Sequence, residues 1–146
     1  MPTAELSFEV SAPPSTVARL LQDLDVLASI NAGVVGVQRL SPTVALWTIR
    51  LQFGPIARNS EYRGELLRAT DDRIEFRAEG PEAYVSGRIA LAPSGPARSI
   101  LTVHLDAHGR GALARVADSL LEQRLPADLR SFAERLTRRF AGTRAA

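Results

Sequence analysis

The sequence contains no cysteine and no lysine, and aromatic residues make up only 5% of its 146 positions. The missing cysteines exclude a disulfide framework, a zinc finger and a thiol nucleophile, and they agree with a cytoplasmic protein. The missing lysines leave all 18 basic residues as arginine, against 16 acids, for a formal net charge of +2. The isoelectric point of 9.9 follows from that usage. With neither Lys nor Cys titrating, a small Arg excess holds the charge positive until tyrosine ionises. So small a surplus does not make a polyanion binder, and nucleic acid is not an expected partner. No apolar run approaches the ~18 residues of a membrane span. The start, Met1-Pro2-Thr3-Ala4-Glu5, lacks the basic and apolar regions of a secretory signal. At 45% hydrophobic and 23% charged residues, the composition is that of one globular domain over 1–146.

Hydrophobic spacing predicts the order of elements. Ala4 to Val10 alternates as a strand, with Leu6, Phe8 and Val10 on one face. Ser11-Ala12-Pro13-Pro14 stops it, and a helix is expected from Pro14 or Ser15, because proline suits a first helical turn. Val17, Leu20, Leu21 and Leu24 then form one stripe, and a second short helix is expected over Asp25 to Ile30, ending at Asn31-Ala32-Gly33. Strands follow over Val35 to Leu40, Val44 to Phe53, Ile56 to Thr70, Arg73 to Gly80, Ala83 to Ala92 and Arg98 to Ala107. Their separators are Ser41-Pro42-Thr43, Gly54-Pro55, Asp71-Asp72 and Pro93-Ser94-Gly95-Pro96. Such short links suit hairpins, so the sheet should be antiparallel. From Leu113 to Phe140 one apolar stripe predicts a long terminal helix, kinked or interrupted at Pro126 and ending near Gly142.

A curved antiparallel sheet has one apolar face to cover, and the terminal helix has one stripe to bury. The expected class is therefore α+β: about seven strands wrapped around a long C-terminal helix, with two short helices after the first strand. This order resembles the helix-grip fold of the START and pollen-allergen-like (SRPBCC) superfamily, which includes polyketide cyclases and small-molecule carriers. Phe8-Glu9-Val10-Ser11-Ala12-Pro13-Pro14 with Val17, Ile49 to Ile56 around Gly54-Pro55, and Tyr62-Arg63-Gly64-Glu65-Leu66 resemble the CoxG-like branch, named for a protein associated with carbon monoxide dehydrogenase. The resemblance implies fold and a ligand cavity; it carries over no catalytic residue and no membrane anchor.

Candidate chemistry is sparse. His104, Asp106 and His108 share one strand face. The choice there lies between a metal site and a solvent-facing polar edge, and the shortage of convergent ligands favours the edge. Ser86-Gly87 is not a nucleophile elbow, and Asp71-Asp72 with Glu75 reads as an exposed turn. No catalytic residue, metal or cofactor is expected.

The inward face of the sheet is more informative. Trp47, Ile49, Leu51, Phe53, Tyr62 and Phe76 point toward the terminal helix, with small positions at Gly64, Ala78 and Gly87 leaving room. Arg58 and Ser60 share the phase of Tyr62. The candidate ligand-binding set is Trp47, Leu51, Arg58, Ser60, Tyr62 and Phe76 on the sheet and Leu120 on the helix. It suits a hydrophobic small molecule with an anionic or carbonyl head, which Arg58 would grip. The competing readings are plain core packing, and an Arg58 turned outward to Glu61 or another surface acid. Residues 110–146 carry a net +4, gathered at Arg130, Arg135, Arg138, Arg139 and Arg144. That surplus is either a solvated helix face or a dock for an acidic protein partner or anionic lipid. The expected function is binding of a hydrophobic or lipid-like ligand; a cyclase- or hydratase-like enzyme and an assembly factor are the alternatives. Nothing in the sequence fixes an oligomeric state.

Overall fold

The computed structural model describes residues 2–29, 33–53, 55–112 and 114–141. The expected turn residues Asn31, Ala32 and Gly54, the stripe's first residue Leu113, and Gly142 and Arg144 lie outside them, as does the side chain of Phe53. Strand β1 spans Thr3–Val10 and is followed by helices α1 (Pro14–Leu21) and α2 (Leu24–Ser29). Then come β2 (Val34–Ser41), β3 (Val44–Phe53), β4 (Ile56–Ala69), β5 (Arg73–Glu79), β6 (Ala83–Gly95) and β7 (Arg98–Gly109), and the terminal helix α3 (Ala114–Ala141).

Pro13 takes an extended conformation at the N-cap of α1, and Pro14 opens the helix, where its missing N–H costs nothing. Val17, Ala18 and Leu21 of α1 and Leu24, Leu27 and Ala28 of α2 are buried. The Asp23 carboxylate accepts the Asp25 N–H at 2.9 Å, capping α2. It also takes Arg39 Nη2 of β2 at 2.7 Å, tying the helix pair to the sheet edge.

The seven strands run β1-β7-β6-β5-β4-β3-β2, antiparallel at every junction. Five consecutive hairpins build the sheet from β2 to β7, and β1 pairs on β7 in register, Phe8 opposite Leu101 and Leu6 opposite Val103. The α1–α2 segment carries the chain from one edge to the other. Register shifts between Leu66 and Arg68, within β2, and between Pro93 and Gly95 mark bulges, which bend strands and deepen the curvature.

Two expectations are corrected. Pro93 and Ser94 do not separate strands: β6 runs on to Gly95. Leu91 N–H points to Asp72 O, so Pro93, two residues on, turns its donorless nitrogen past the end of β5 and loses no ladder bond. The interruption admitted at Pro126 does not occur: helix α3 runs on through it. Both Pro126 and Glu122, whose carbonyl loses its helical donor there, are exposed to water.

The position of α3 decides where the site lies. It packs chiefly on β1 and β7, through Leu129, Phe132, Leu136 and Phe140, all buried. The Phe132 ring meets Phe8 edge-on at 6.5 Å and 81°. These anchors all sit in the C-terminal half of the helix. In the N-terminal half Leu120 and Leu121 are only half-buried, and the buried Ala117 and Leu125 line a space with them, so that half stands over the sheet without filling the space beneath it.

Candidate functional site

Antiparallel pairing of β3 with β4 sets Trp47 opposite Tyr62, Ile49 opposite Ser60 and Leu51 opposite Arg58. Directly paired residues share a face, so an apolar wall on β3 stands beside a polar row on β4. The turn between β5 and β6, closed by Gly80 N–H to Ala83 O at 3.0 Å, swings Glu82 over that row. Its Oε2 accepts Arg58 Nη2 at 2.8 Å and Ser60 Oγ at 2.5 Å, and its Oε1 accepts the Tyr62 hydroxyl at 3.2 Å. Ser60 and Tyr62 are 6% and 4% exposed, whereas Arg58 is 59% exposed beside a Glu82 side chain at 16%. The phenol of Tyr62 is pushed above its ordinary value, first by burial and then by the Glu82 charge. Tyr62 is therefore a neutral donor to the carboxylate across the physiological range.

Above this cluster lies a cavity of about 220 Å³. Trp47, Leu51, Tyr62 and Phe76 line it from the sheet, Glu82 from the turn, and Leu120, Leu121 and Leu125 from α3. Arg124 and Asp128 of α3, with Arg50 and Gln52 of β3, add polar groups to the lining. The Asp128 carboxyl is raised by desolvation, opposed by the Arg124 charge. The residue as a whole remains exposed. The Trp47 Nε1–H is buried with no hydrogen-bond partner among the described residues, a cost of about 1–3 kcal/mol on the cavity wall.

Of the seven residues expected at the site, Trp47, Leu51, Tyr62, Phe76 and Leu120 line the cavity. Arg58 and Ser60 lie behind Glu82 and reach the cavity only through it. The free guanidinium expected to grip an anionic head is instead paired with Glu82, not with Glu61. The room expected at Gly64 and Gly87 is taken by the Trp47 and Phe76 rings, which rest on these glycines. His104 is held between Glu5 at 3.2 Å and Asp106 at 3.1 Å on the outer face, and no metal-holding cluster occurs among the described residues. Sequence reasoning missed Glu82, Arg124 and Asp128, and it placed Arg50 and Gln52, which also line the cavity, on the opposite face of β3. The one available signal for Glu82 was the Gly80-Pro81 turn leading into it.

A seven-stranded antiparallel sheet gripping a long terminal helix, with two short helices after the first strand, is the helix-grip fold of START-like domains. A model of the family described as polyketide cyclase / dehydrase and lipid transport matches residues 1–141, and the chain belongs to that family. The match is to the family as a whole; the finer likeness to the CoxG-like branch rests on the sequence motifs alone. The conserved protein from Geobacillus kaustophilus is similar at TM-score 0.78 and 16% identity, over 97% of this chain and 96% of that one. A START superfamily protein from Mycobacterium smegmatis matches at TM-score 0.78 and 17% identity, over 97% and 98%. The Zhui aromatase/cyclase from a Streptomyces species matches at TM-score 0.74 and 18% identity, over 98% and 96%. These likenesses are of fold. No curated protein sequence matches the chain. Among the described residues no helix is long and apolar enough to cross a membrane.

Proposed function

We propose that this chain binds a hydrophobic or lipid-like small molecule between the β3–β5 wall and the first half of α3, as a carrier or accessory protein. The observation that carries this reading is the placement of α3. Its anchors lie in the C-terminal half, and the half over the sheet leaves an apolar space with polar groups at its margin. At about 220 Å³ the space is below the roughly 300–1,000 Å³ of drug-sized sites, which suits a small ligand or the end of a longer one. An open cavity also favours ligand binding over a role confined to assembly. Thermal-shift measurements with a panel of hydrophobic alcohols, quinones and carboxylates test the reading. Stabilisation by at least one class is expected, and no shift across the panel overturns it.

A second reading, a cyclase- or hydratase-like enzyme, is favoured by one observation. Glu82 lines the cavity in hydrogen-bond contact with the buried Tyr62 and Ser60, an arrangement able to exchange a proton with a bound carbonyl or hydroxyl. The Zhui protein is an aromatase/cyclase on the same fold. If Glu82→Gln binds the ligand as the parent does but no longer converts it, the enzyme reading stands. If the parent returns every bound ligand unchanged, it falls.

A further inference from the structure

Two glycines of the sheet's inner face, Gly64 and Gly87, and Gly80 in the turn after β5 each lie against the ring of one aromatic residue lining the cavity. A Cβ built on Gly64 meets three indole carbons of Trp47 at 3.2, 3.2 and 3.3 Å, and one on Gly80 meets three carbons of the Tyr62 ring, all at 2.5 Å. One on Gly87, paired directly with Phe76, meets three carbons of that ring, the farther two at 2.6 and 2.9 Å. The near-equal distances at Gly64 and Gly80 mean that the Trp47 and Tyr62 rings lie face-on to them, while Gly87 meets the Phe76 ring toward its Cζ end. All three rings line the cavity, so with their backs on the backbone their free faces form its floor. The opposite wall, on α3, is aliphatic at Leu120, Leu121 and Leu125, with Arg124 and Asp128 also lining it.

Glycine in a strand interior weakens the strand and marks a place where another group approaches the backbone closely. Here the approaching group is a ring in every case. A side chain at these positions would tilt each ring off the sheet and into the space beneath α3. From this we infer that Gly64, Gly80 and Gly87 are specificity-determining residues of the cavity: they flatten its floor, giving a slot that selects planar, unsaturated ring systems over puckered, saturated ones. The inference rests on the ligand-binding reading above and adds the shape and chemical class that the site prefers. Flat rings reach stacking contact with several of the three faces together, whereas a puckered ring of the same carbon skeleton touches each at fewer points.

Calorimetric titration with naphthol and with its saturated counterpart decahydronaphthol tests this. Both share one fused skeleton and one hydroxyl, and they differ in planarity. The parent chain should bind naphthol about tenfold more tightly, the scale of one or two stacked aromatic pairs. The glycine variants should lose naphthol affinity in the order of their overlaps. Gly64→Ala, whose Cβ needs only a few tenths of an ångström, should lose about twofold, and Gly87→Ala tenfold or more. If Gly87→Ala does not fold, Gly87→Ala combined with Phe76→Leu relieves the overlap, and the preference for naphthol should then shrink toward equality. Equal or tighter binding of decahydronaphthol by the parent, or an unchanged preference in the combined variant, overturns the slot while leaving ligand binding intact. Binding of neither probe by the parent overturns the slot, and ligand binding is then decided by the wider thermal-shift panel.

Discussion

Replacing Glu82 with alanine removes the acceptor from two buried hydroxyls at once. Ser60 and Tyr62 both donate to this carboxylate and are 6% and 4% exposed. An orphaned buried donor costs about 1–3 kcal/mol. Water admitted through the cavity recovers part of that, so Glu82→Ala should lose about 2–4 kcal/mol in all. For a chain of this length the midpoint moves about 2–4 °C per kcal/mol, and the variant should melt about 4–16 °C lower. Glu82→Gln keeps one carbonyl acceptor but turns an amide donor toward the second hydroxyl, so roughly half the loss should remain. Arg58→Ala breaks a 2.8 Å ion pair, but the Arg58 side chain is 59% exposed, and such pairs contribute about 0–1 kcal/mol. Differential scanning calorimetry at pH 7 orders the three variants. An Arg58→Ala loss equal to that of Glu82→Ala, or an unchanged midpoint for Glu82→Ala, would refute the assignment of the cluster's energy to its buried hydroxyls.

Tyr62 is held protonated above its usual pKa of 10.0 by burial and then by Glu82. Its contribution is complete below about pH 10 and drains away at higher pH, where the unfolded chain releases the proton and the folded chain keeps it, by up to about 1.4 kcal/mol per pH unit. With no Lys or Cys to titrate, urea denaturation across this alkaline range should decline less steeply in Tyr62→Phe than in the parent; parallel declines would contradict the burial argument. The Asp128 carboxyl is raised by desolvation above 3.8, so its charged form is a cost at neutral pH. Asp128→Asn should melt higher than the parent at pH 7, with the gain shrinking as pH falls toward 3.8. Leu136 of α3 is fully buried, and Leu136→Ala should cost about 2–5 kcal/mol. Leu120→Ala, which enlarges an existing cavity, should cost about 1 kcal/mol or less. Equal losses in chemical denaturation would mean that the space beneath the helix is filled.

The order of elements was legible because local signals agreed. Alternation in β3 and β5, Pro13-Pro14 before α1, and the α3 stripe each rest on residues a few positions apart. The phase of Arg58, Ser60 and Tyr62 could be read for the same reason. Glu82 could not, because a carboxylate in a turn ordinarily faces water. Only the pairing of β4 with β5 brings it across 20 to 24 residues of chain to the three donors. Gly64 and Gly87 were legible as small inward positions, but whether an inward glycine leaves a void or receives a ring depends on cross-strand register. Gly87 faces Phe76 directly, and the room is spent on the ring. The course of β6 through Pro93 was hidden similarly, since proline is tolerated there only because β5 has already ended.

Trp47 is the single tryptophan of the chain and lines the cavity, so its emission reports directly on the space beneath α3. Titrating a hydrophobic alcohol such as decanol against Trp47 emission, in the parent and in a folded Ala117→Phe variant that plugs the cavity, tests the central claim. The account predicts a saturable, single-site change in the parent that is lost in the plugged chain. No saturable change in the parent, or the same change in both, would contradict it.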